Sequence, residues 1–404
     1  MSPIRTSTTA FAFRGYNITN LGRTPELLVH PRYGPIVAAT LDEISQVAAA
    51  HLGRPVDLVT RVRQRRETQD LTTYAEDLAL IVAVELAQMR LLDQFFGITL
   101  GQAKLAFGYS LGEAVALMAA GVFEMRHLLK APLTMADDLV ALGHDVSMGV
   151  VFSRGRALDE LAVKRLCLQL SSQGEGTIAI ATHLSPNALI LLGQKNTVDR
   201  FQIAMRDVLA DHTHLRKNPH RWPPMHTPIT WQRGIPNRGA ILLETLPGGF
   251  RAPSIPILSS VDDHATYGDH NSRELLHRWI DHPQRLWSLV YRTLAAGVDT
   301  VIHVGPDPNL IPATFRRLSE DVRGQLNGYS PGSLGRRAVS HMVRRPWLAQ
   351  LLPSGAALLR APQVRHVILE DWLLEQGCNG QRCGAELPSH RWSTPSLAAG
   401  RLFS

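Results

Sequence analysis

Cysteine is scarce: Cys167, Cys378 and Cys383 are the only three in 404 residues. Three thiols cannot build a disulfide framework, and they suit a reducing compartment. Cys378 and Cys383 form a lone C-x4-C with no second pair, so they read as unrelated surface thiols rather than a metal site. His212 and His214 make an H-x-H that no carboxylate or cysteine cluster supports. Long apolar runs are also missing. The most apolar helix candidate, Leu78 to Met89, is broken by Glu85 and is too short to cross a bilayer. The opening MSPIRTSTTAFAF has no signal-peptide core, which makes the cytoplasm the expected location. No nucleic-acid-binding motif and no internal repeat are found, so nucleic acid is not an expected partner.

What is present bounds the rest. Apolar residues make up 45% of the chain, enough for a sizeable core and against global disorder. The length allows two or three domains, or one large domain with an insertion. A formal charge of +7 and a sequence pI near 9.6 favour an acidic partner, such as CoA phosphates or an acidic carrier protein.

The stretch Gln102 to Phe123 organises the chain. Its centre, Gly108-Tyr109-Ser110-Leu111-Gly112-Glu113, is a G-x-S-x-G with an apolar run before it and a helix-forming run after it. This order predicts a nucleophile elbow: a strand ends, the chain turns sharply, and the Ser110 hydroxyl stands at a helix N-terminus. The free N–H after the serine and the helix dipole can then hold a developing oxyanion. Around it, Ala10 to Phe13 reads as an opening strand, and Leu41 to Leu52 and Thr73 to Phe96 as helices. From Ser147 a strand–helix–strand–strand–helix run predicts a small inserted subdomain. Asp211 to Trp222 reads as an exposed basic loop. Pro256 to Val261 and Thr300 to Val304 have buried-strand texture, with a helix over Arg285 to Ala295 between them. The tail from Pro331 carries nine arginines against four acids and a helical patch over Val364 to Glu375; packing extension and docking surface are both open for it.

The extended elbow, G-Y-S-L-G-E followed by A-L-M-A-A-G-V, resembles malonyl-CoA:acyl carrier protein transacylases and the acyltransferase domains of polyketide and fatty acid synthases. Further landmarks fall in the same order. Ala10 to Gly15 stands where that family opens with F-P-G-Q-G. Ala181, Ser185-Pro186 and Gly193 resemble its A-N-x-N-S-P…G hairpin. Pro224 to Pro228 resembles the segment of its catalytic histidine, and Pro256 to Asp262 its P-x-x-S-N-V-D strand. His282 to Trp287 resembles its N-P-V-x-W turn, and Val304-Gly305-Pro306 its closing V-G-P. The resemblance covers about residues 8 to 330. It implies an α/β fold with a hydrolase-like parallel-sheet core, residues 1–145 and 226–330. A ferredoxin-like α+β subdomain, 146–225, is inserted, and 331–404 form a basic C-terminal extension.

The implied activity is ping-pong acyl transfer from acyl-CoA, or a carrier, to the phosphopantetheine thiol of an acyl carrier protein, with no bound cofactor or metal. Ser110 would be the nucleophile and His226, 116 residues later, the base. Leu111 and Tyr16 would supply oxyanion-hole amides. Tyr109, Met135, Met225 and Arg285 would line the substrate pocket. Two departures bear on substrate. In malonyl-type enzymes an arginine 25 residues after the nucleophile holds the extender's carboxylate; here that position is Met135. Losing charge-assisted bonds worth roughly 1.5–3 kcal/mol argues for an uncharged acyl group, unless Arg154 or Arg156 replaces the arginine. Tyr16 and Tyr109 replace the family's glutamine and histidine. An acyl-thioester hydrolase and a non-catalytic carrier-docking protein are the rival readings. An unrelated α/β-hydrolase esterase would want an acid between Ser110 and His226, and none is suitably placed.

Overall fold

The computed structural model describes residues 5–67, 70–154, 157–326 and 354–378. A five-stranded parallel sheet forms its centre, ordered β7-β2-β1-β8-β9: Ile257–Leu258, Leu105–Gly108, Thr9–Phe13, Thr300–Val304 and Arg365–Ile368. All five residues of β1 and of β8 are buried. That is the pattern of strands covered on both faces, and their near-continuous apolar sequence follows from it. The register aligns Phe13 with Gly108 and with Val304. Three strands therefore end together, and the loops leaving their carboxyl ends meet at one place, where open parallel sheets bind ligands.

The long helix Tyr74–Phe96 packs across this sheet, buried almost all round, and stops at the left-handed Gly97. Its two buried carboxylates are not flaws in a core helix: Asp77 pairs with Arg61, and Glu85 accepts the Arg14 backbone N–H beside the strand ends.

A second sheet, Val146–Ser153 (β3), Ile178–Ser185 (β4), Ala188–Gln194 (β5) and Thr213–Arg221 (β6), is antiparallel and ordered β4-β5-β3-β6. With helices Glu160–Ser171 and Thr197–Val208 it is a β-α-β-β-α-β unit in the 4-1-3-2 spatial order of a ferredoxin-like fold. One face packs on those two helices through Val151, Leu191 and Phe201; the other, with Val150, Ile190 and Leu192, joins the core cluster of Phe107, Leu286 and Phe315. A parallel bridge at Thr182 and Gln284 ties the antiparallel sheet to the turn before helix Leu286–Ala295. There the Gln284 N–H donates to Ala181 O and the His183 N–H to Gln284 O, both at 2.8 Å.

Several segments depart from the sequence-based expectations. The basic stretch expected as a loop is the edge strand β6. Its polar composition reflects a strand with one neighbour among the described residues, β3, and most side chains in solvent. Within Pro256 to Val261, only Ile257–Leu258 pairs as strand. In the tail, Arg365–Ile368 is strand rather than helix, running parallel beside β8 before helix Leu369–Cys378 begins. Trp372 of that helix is fully buried against Phe96, so this part of the tail belongs to the core. Cys383 and Arg156 lie outside the described residues.

Candidate active site

The elbow forms as its sequence dictates. Strand β2 ends at Gly108, helix Leu111–Ala119 begins after two intervening residues, and Ser110, the second of them, sits at φ 53°, ψ −118°. A non-glycine residue there is strained, and the strain presents its side chain outward. A Cβ on Gly108 would overlap the Gly112 carbonyl, so the strand and helix can approach this closely only without it.

Ser110 Oγ lies 2.7 Å from His226 Nε2. His226 Nδ1 lies 2.7 Å from Trp279 O, and its backbone N–H donates to Ile280 O at 2.8 Å. A carbonyl only accepts, so Nδ1 carries the proton and the Nε2 lone pair faces the serine. His226 is 5% exposed, and burial lowers its pKa to about 4, against the weaker upward pull of the Trp279 carbonyl. At neutral pH it is an uncharged base.

Trp279 does a second thing. Its indole N–H donates to Ser110 O at 2.9 Å, and its ring meets the imidazole edge-on with centroids 5.6 Å apart. The Ser110 N–H is engaged by Gln284 Oε1 at 3.2 Å. Gln284 in turn accepts from the Ser260 hydroxyl, and Ser260 is held by Glu113, which also accepts from Tyr267 Oη at 2.6 Å. Burial raises the Glu113 carboxyl above its ordinary range, partly offset by these donors. Sequence reasoning assigned no role to Trp279, Gln284 or Ser260. The only signal was Glu113 itself, a lone acid at the start of an apolar helix, whose partners lie about 150 residues away in sequence.

The loop after β1 closes the other side. A Cβ on Gly15 would fall 2.6 Å from Tyr109 O and 3.2 Å from Ser110 Cβ, so this loop lies directly on the elbow. Among the described residues the Leu111 and Tyr16 amides meet no acceptor. Tyr16, Tyr109, Ser110, Met225 and His226 line one cleft of about 120 Å³ between the two sheets, walled on the antiparallel side by Met148, Ile190 and Leu192. The Tyr109 hydroxyl bridges to Thr182 Oγ1 at 2.8 Å, and burial pushes the phenol up to about 12.

Met135 is 3% exposed and lies in a niche of about 10 Å³ behind Ser110, shared with Tyr74, Leu78, Leu139 and Trp279, all uncharged. Asp77, beside Leu78, is turned away and pairs with Arg61. Arg285 is not brought to this cleft. It pairs with Asp263 at 2.9 Å and lines a separate depression with Trp287 and Tyr291, because the residue before it, Gln284, is the one turned toward Ser110. Arg154 is exposed and lines neither cavity. No group of three or more His, Cys, Asp or Glu that could hold a metal occurs among the described residues.

No family model matches the chain. Similar proteins do exist. Malonyl CoA-acyl carrier protein transacylase of Salmonella typhimurium is 24% identical over 321 residues, covering 79% of this chain and 95% of that protein. Polyketide synthase GfsA of Streptomyces halstedii is 24% identical over 303 residues, 74% of this chain and 4% of that much longer protein. A solved structure of a type II polyketide synthase acyl carrier protein in complex with its malonyl-transacylase matches with TM-score 0.62 and 23% identity, covering 77% of this chain and 93% of that one. With the elbow, its histidine and both sheets in place, the chain is similar in sequence, at 24% identity, to malonyl-CoA:acyl carrier protein transacylases and a polyketide synthase, and shares the fold of the solved transacylases.

Proposed function

We propose that this chain is a serine acyltransferase that moves an acyl group from CoA to the phosphopantetheine thiol of an acyl carrier protein. The observation that carries the reading is the Ser110–His226 contact at 2.7 Å, with the far imidazole nitrogen anchored on a backbone carbonyl. Ser110 Oγ attacks the thioester carbonyl while His226 Nε2 takes its proton. The tetrahedral oxyanion is held by the Leu111 and Tyr16 amides. Collapse breaks the C–S bond, the CoA thiolate leaves with the proton from His226, and Ser110 keeps the acyl group. The carrier's thiol then repeats the sequence on the acyl-enzyme, giving its proton to His226, which returns it to Ser110 Oγ. No carboxylate is needed behind the histidine, because the Trp279 carbonyl fixes the tautomer.

The acyl group in this reading is short and uncharged. A malonyl carboxylate would meet Met135 and aromatic or aliphatic neighbours where a cation is required, and an unpaired buried charge is costly. A niche near 10 Å³ holds little more than a methyl group. Exposed basic residues on β6, Arg216, Lys217 and Arg221, suit the acidic carrier or CoA phosphates. The division into a core of 1–145 and 226–330 with an inserted 146–225 unit, and a cytoplasmic location, belong to the same proposal. Intact mass after mixing with acetyl-, butyryl- and malonyl-CoA tests it. An adduct on Ser110, absent in Ser110→Ala and discharged by holo-carrier faster than by water, is expected. No adduct with any donor would sink the reading, and rapid discharge by water alone would make it a hydrolase.

A further inference from the structure

Arg14 is 4% exposed, and it immediately precedes the loop that carries the Tyr16 amide. The F-P-G-Q-G opening of the family has no arginine there. Its guanidinium is spread over three stretches of backbone. Nε–H donates to Gly15 O at 3.0 Å and Nη2 to Thr19 O at 3.0 Å, both within the loop. Nη1 donates to Pro306 O, with Asp307 O at 3.4 Å, in the turn that follows β8. The Arg14 backbone N–H is held by Glu85 Oε1 at 2.7 Å, and one helical turn later Gln88 Oε1 takes the Gly305 N–H at 2.7 Å. Burial lowers the Arg14 guanidinium and raises the Glu85 carboxyl, while their mutual attraction opposes both shifts. An arginine in this setting stays charged.

The Gly15 carbonyl and the Tyr16 N–H belong to one planar trans peptide, so they point in opposite directions. Holding the carbonyl on Arg14 Nε therefore sets where the Tyr16 N–H points. The Glu85 bond fixes the peptide before Arg14 in the same way. We propose that Arg14 is a positioning residue of the oxyanion hole: its guanidinium orients the Gly15–Tyr16 peptide so that the Tyr16 N–H faces the reacting carbonyl at Ser110. This rests on the acyl-enzyme reading above. Arg14 touches no reacting atom and acts through the peptide alone.

The test must separate orientation from stability, because removing Arg14 strands the charge on Glu85. Arg14→Met combined with Glu85→Gln removes both charges and keeps an acceptor for the residue-14 amide. In single-turnover acylation of the full chain by acetyl-S-N-acetylcysteamine, this double variant should melt near wild type yet acylate about a hundredfold slower at saturation. Its half-saturation concentration should stay within about twofold, as expected for a misdirected transition-state donor. Arg14→Lys keeps the charge but loses the planar fork; it should be about tenfold slower, with faster amide exchange in the peptide spanning residues 13–20. A folded double variant acylating within twofold of wild type would overturn the proposal, as would unchanged exchange in Arg14→Lys. If the wild type takes no acyl group from any donor, the acyltransferase reading fails instead, and the exchange measurement still decides whether Arg14 orders this loop.

Discussion

The depressed basicity of His226 gives the sharpest test of the dyad. A general base works only when neutral, so the acid limb of the acylation rate should follow the His226 pKa. Burial places that pKa at about 4 rather than 6.5. At pH 5.5 a histidine of pKa 6.5 would be neutral in about 9% of molecules, whereas one of pKa 4 is neutral in about 97%. Acylation measured as kcat/KM should therefore be nearly flat from pH 8 to 5.5, where an unperturbed histidine would have lost about tenfold. The donor should be an acyl N-acetylcysteamine thioester, which has no titrating group in this range; CoA phosphates do titrate there. Folding must be followed in parallel, because a His whose folded pKa lies below its unfolded value contributes stability that is present above pH 6.5 and lost as pH falls toward 4. That loss amounts to about 3 kcal/mol when complete. If acylation halves near pH 6.5 while the protein remains folded, the imidazole is solvated during catalysis and the buried-dyad argument is wrong.

Three further outcomes are expected. Trp279→Phe keeps the carbonyl under His226 and most of the ring but deletes the indole N–H on Ser110 O. A net hydrogen bond of about 1 kcal/mol predicts acylation roughly fivefold slower in single-turnover mass measurements, and an unchanged rate would remove the indole from the site's design. Met135→Arg should raise the ratio of malonyl to acetyl adduct at least about tenfold, the worth of a charge-assisted bond, despite a lower melting temperature; no change in the ratio would place the acyl group away from Met135. Arg273, 8% exposed, donates to the carbonyls of Leu243, Leu246 and Gly248 and stacks on Phe250 with its guanidinium carbon 4.5 Å from the ring centre. Arg273→Met should cost about 3 kcal/mol in urea unfolding with acylation by the remaining folded protein intact, and a change under 1 kcal/mol would refute that capping role.

What could be read in the sequence was local. The elbow announces itself because strand, sharp turn and helix are contiguous from Leu105 to Ala119, and each constrains residue type at fixed spacing. The inserted unit was legible for the same reason: short alternating strands and amphipathic helices succeed one another from Val146 to Val208. Its last strand was not. Strand β6 lies at the sheet edge, so half its hydrogen-bonding groups and most side chains face solvent, and its composition is that of a basic loop. Arg285 illustrates a one-residue ambiguity. The turn His282–Trp287 is legible in the sequence, but whether residue 284 or 285 faces Ser110 depends on the bridge to Thr182, a contact made across about 100 residues of chain.

The tail shows where local reading ends. Arg365–Ile368 precedes an acidic helix start, and helical periodicity runs straight through it from Val364. Only the free edge of β8 makes it a strand, and that edge is some 60 residues earlier. Once it pairs, its polar residues acquire partners that no window could anticipate. His366 Nδ1 meets His303 Nε2 at 3.0 Å in the core, and burial holds both imidazoles below their ordinary pKa. Glu370 accepts from the Arg23 and Asp307 backbone amides at 2.8 and 2.9 Å. Asp307 belongs to the turn whose carbonyls hold Arg14, and Arg14 holds the peptide of Tyr16. A residue 260 positions beyond Ser110 in sequence is thus three contacts from the peptide beside its hydroxyl. The elbow fixes the position of Ser110 by itself, but the loop that carries the Tyr16 amide is tied, through Arg14 and Asp307, to Glu370. Glu370→Ala should therefore slow single-turnover acylation through the Tyr16 loop while leaving the Ser110–His226 pairing in place, and an unchanged rate in the folded variant would break this chain of contacts.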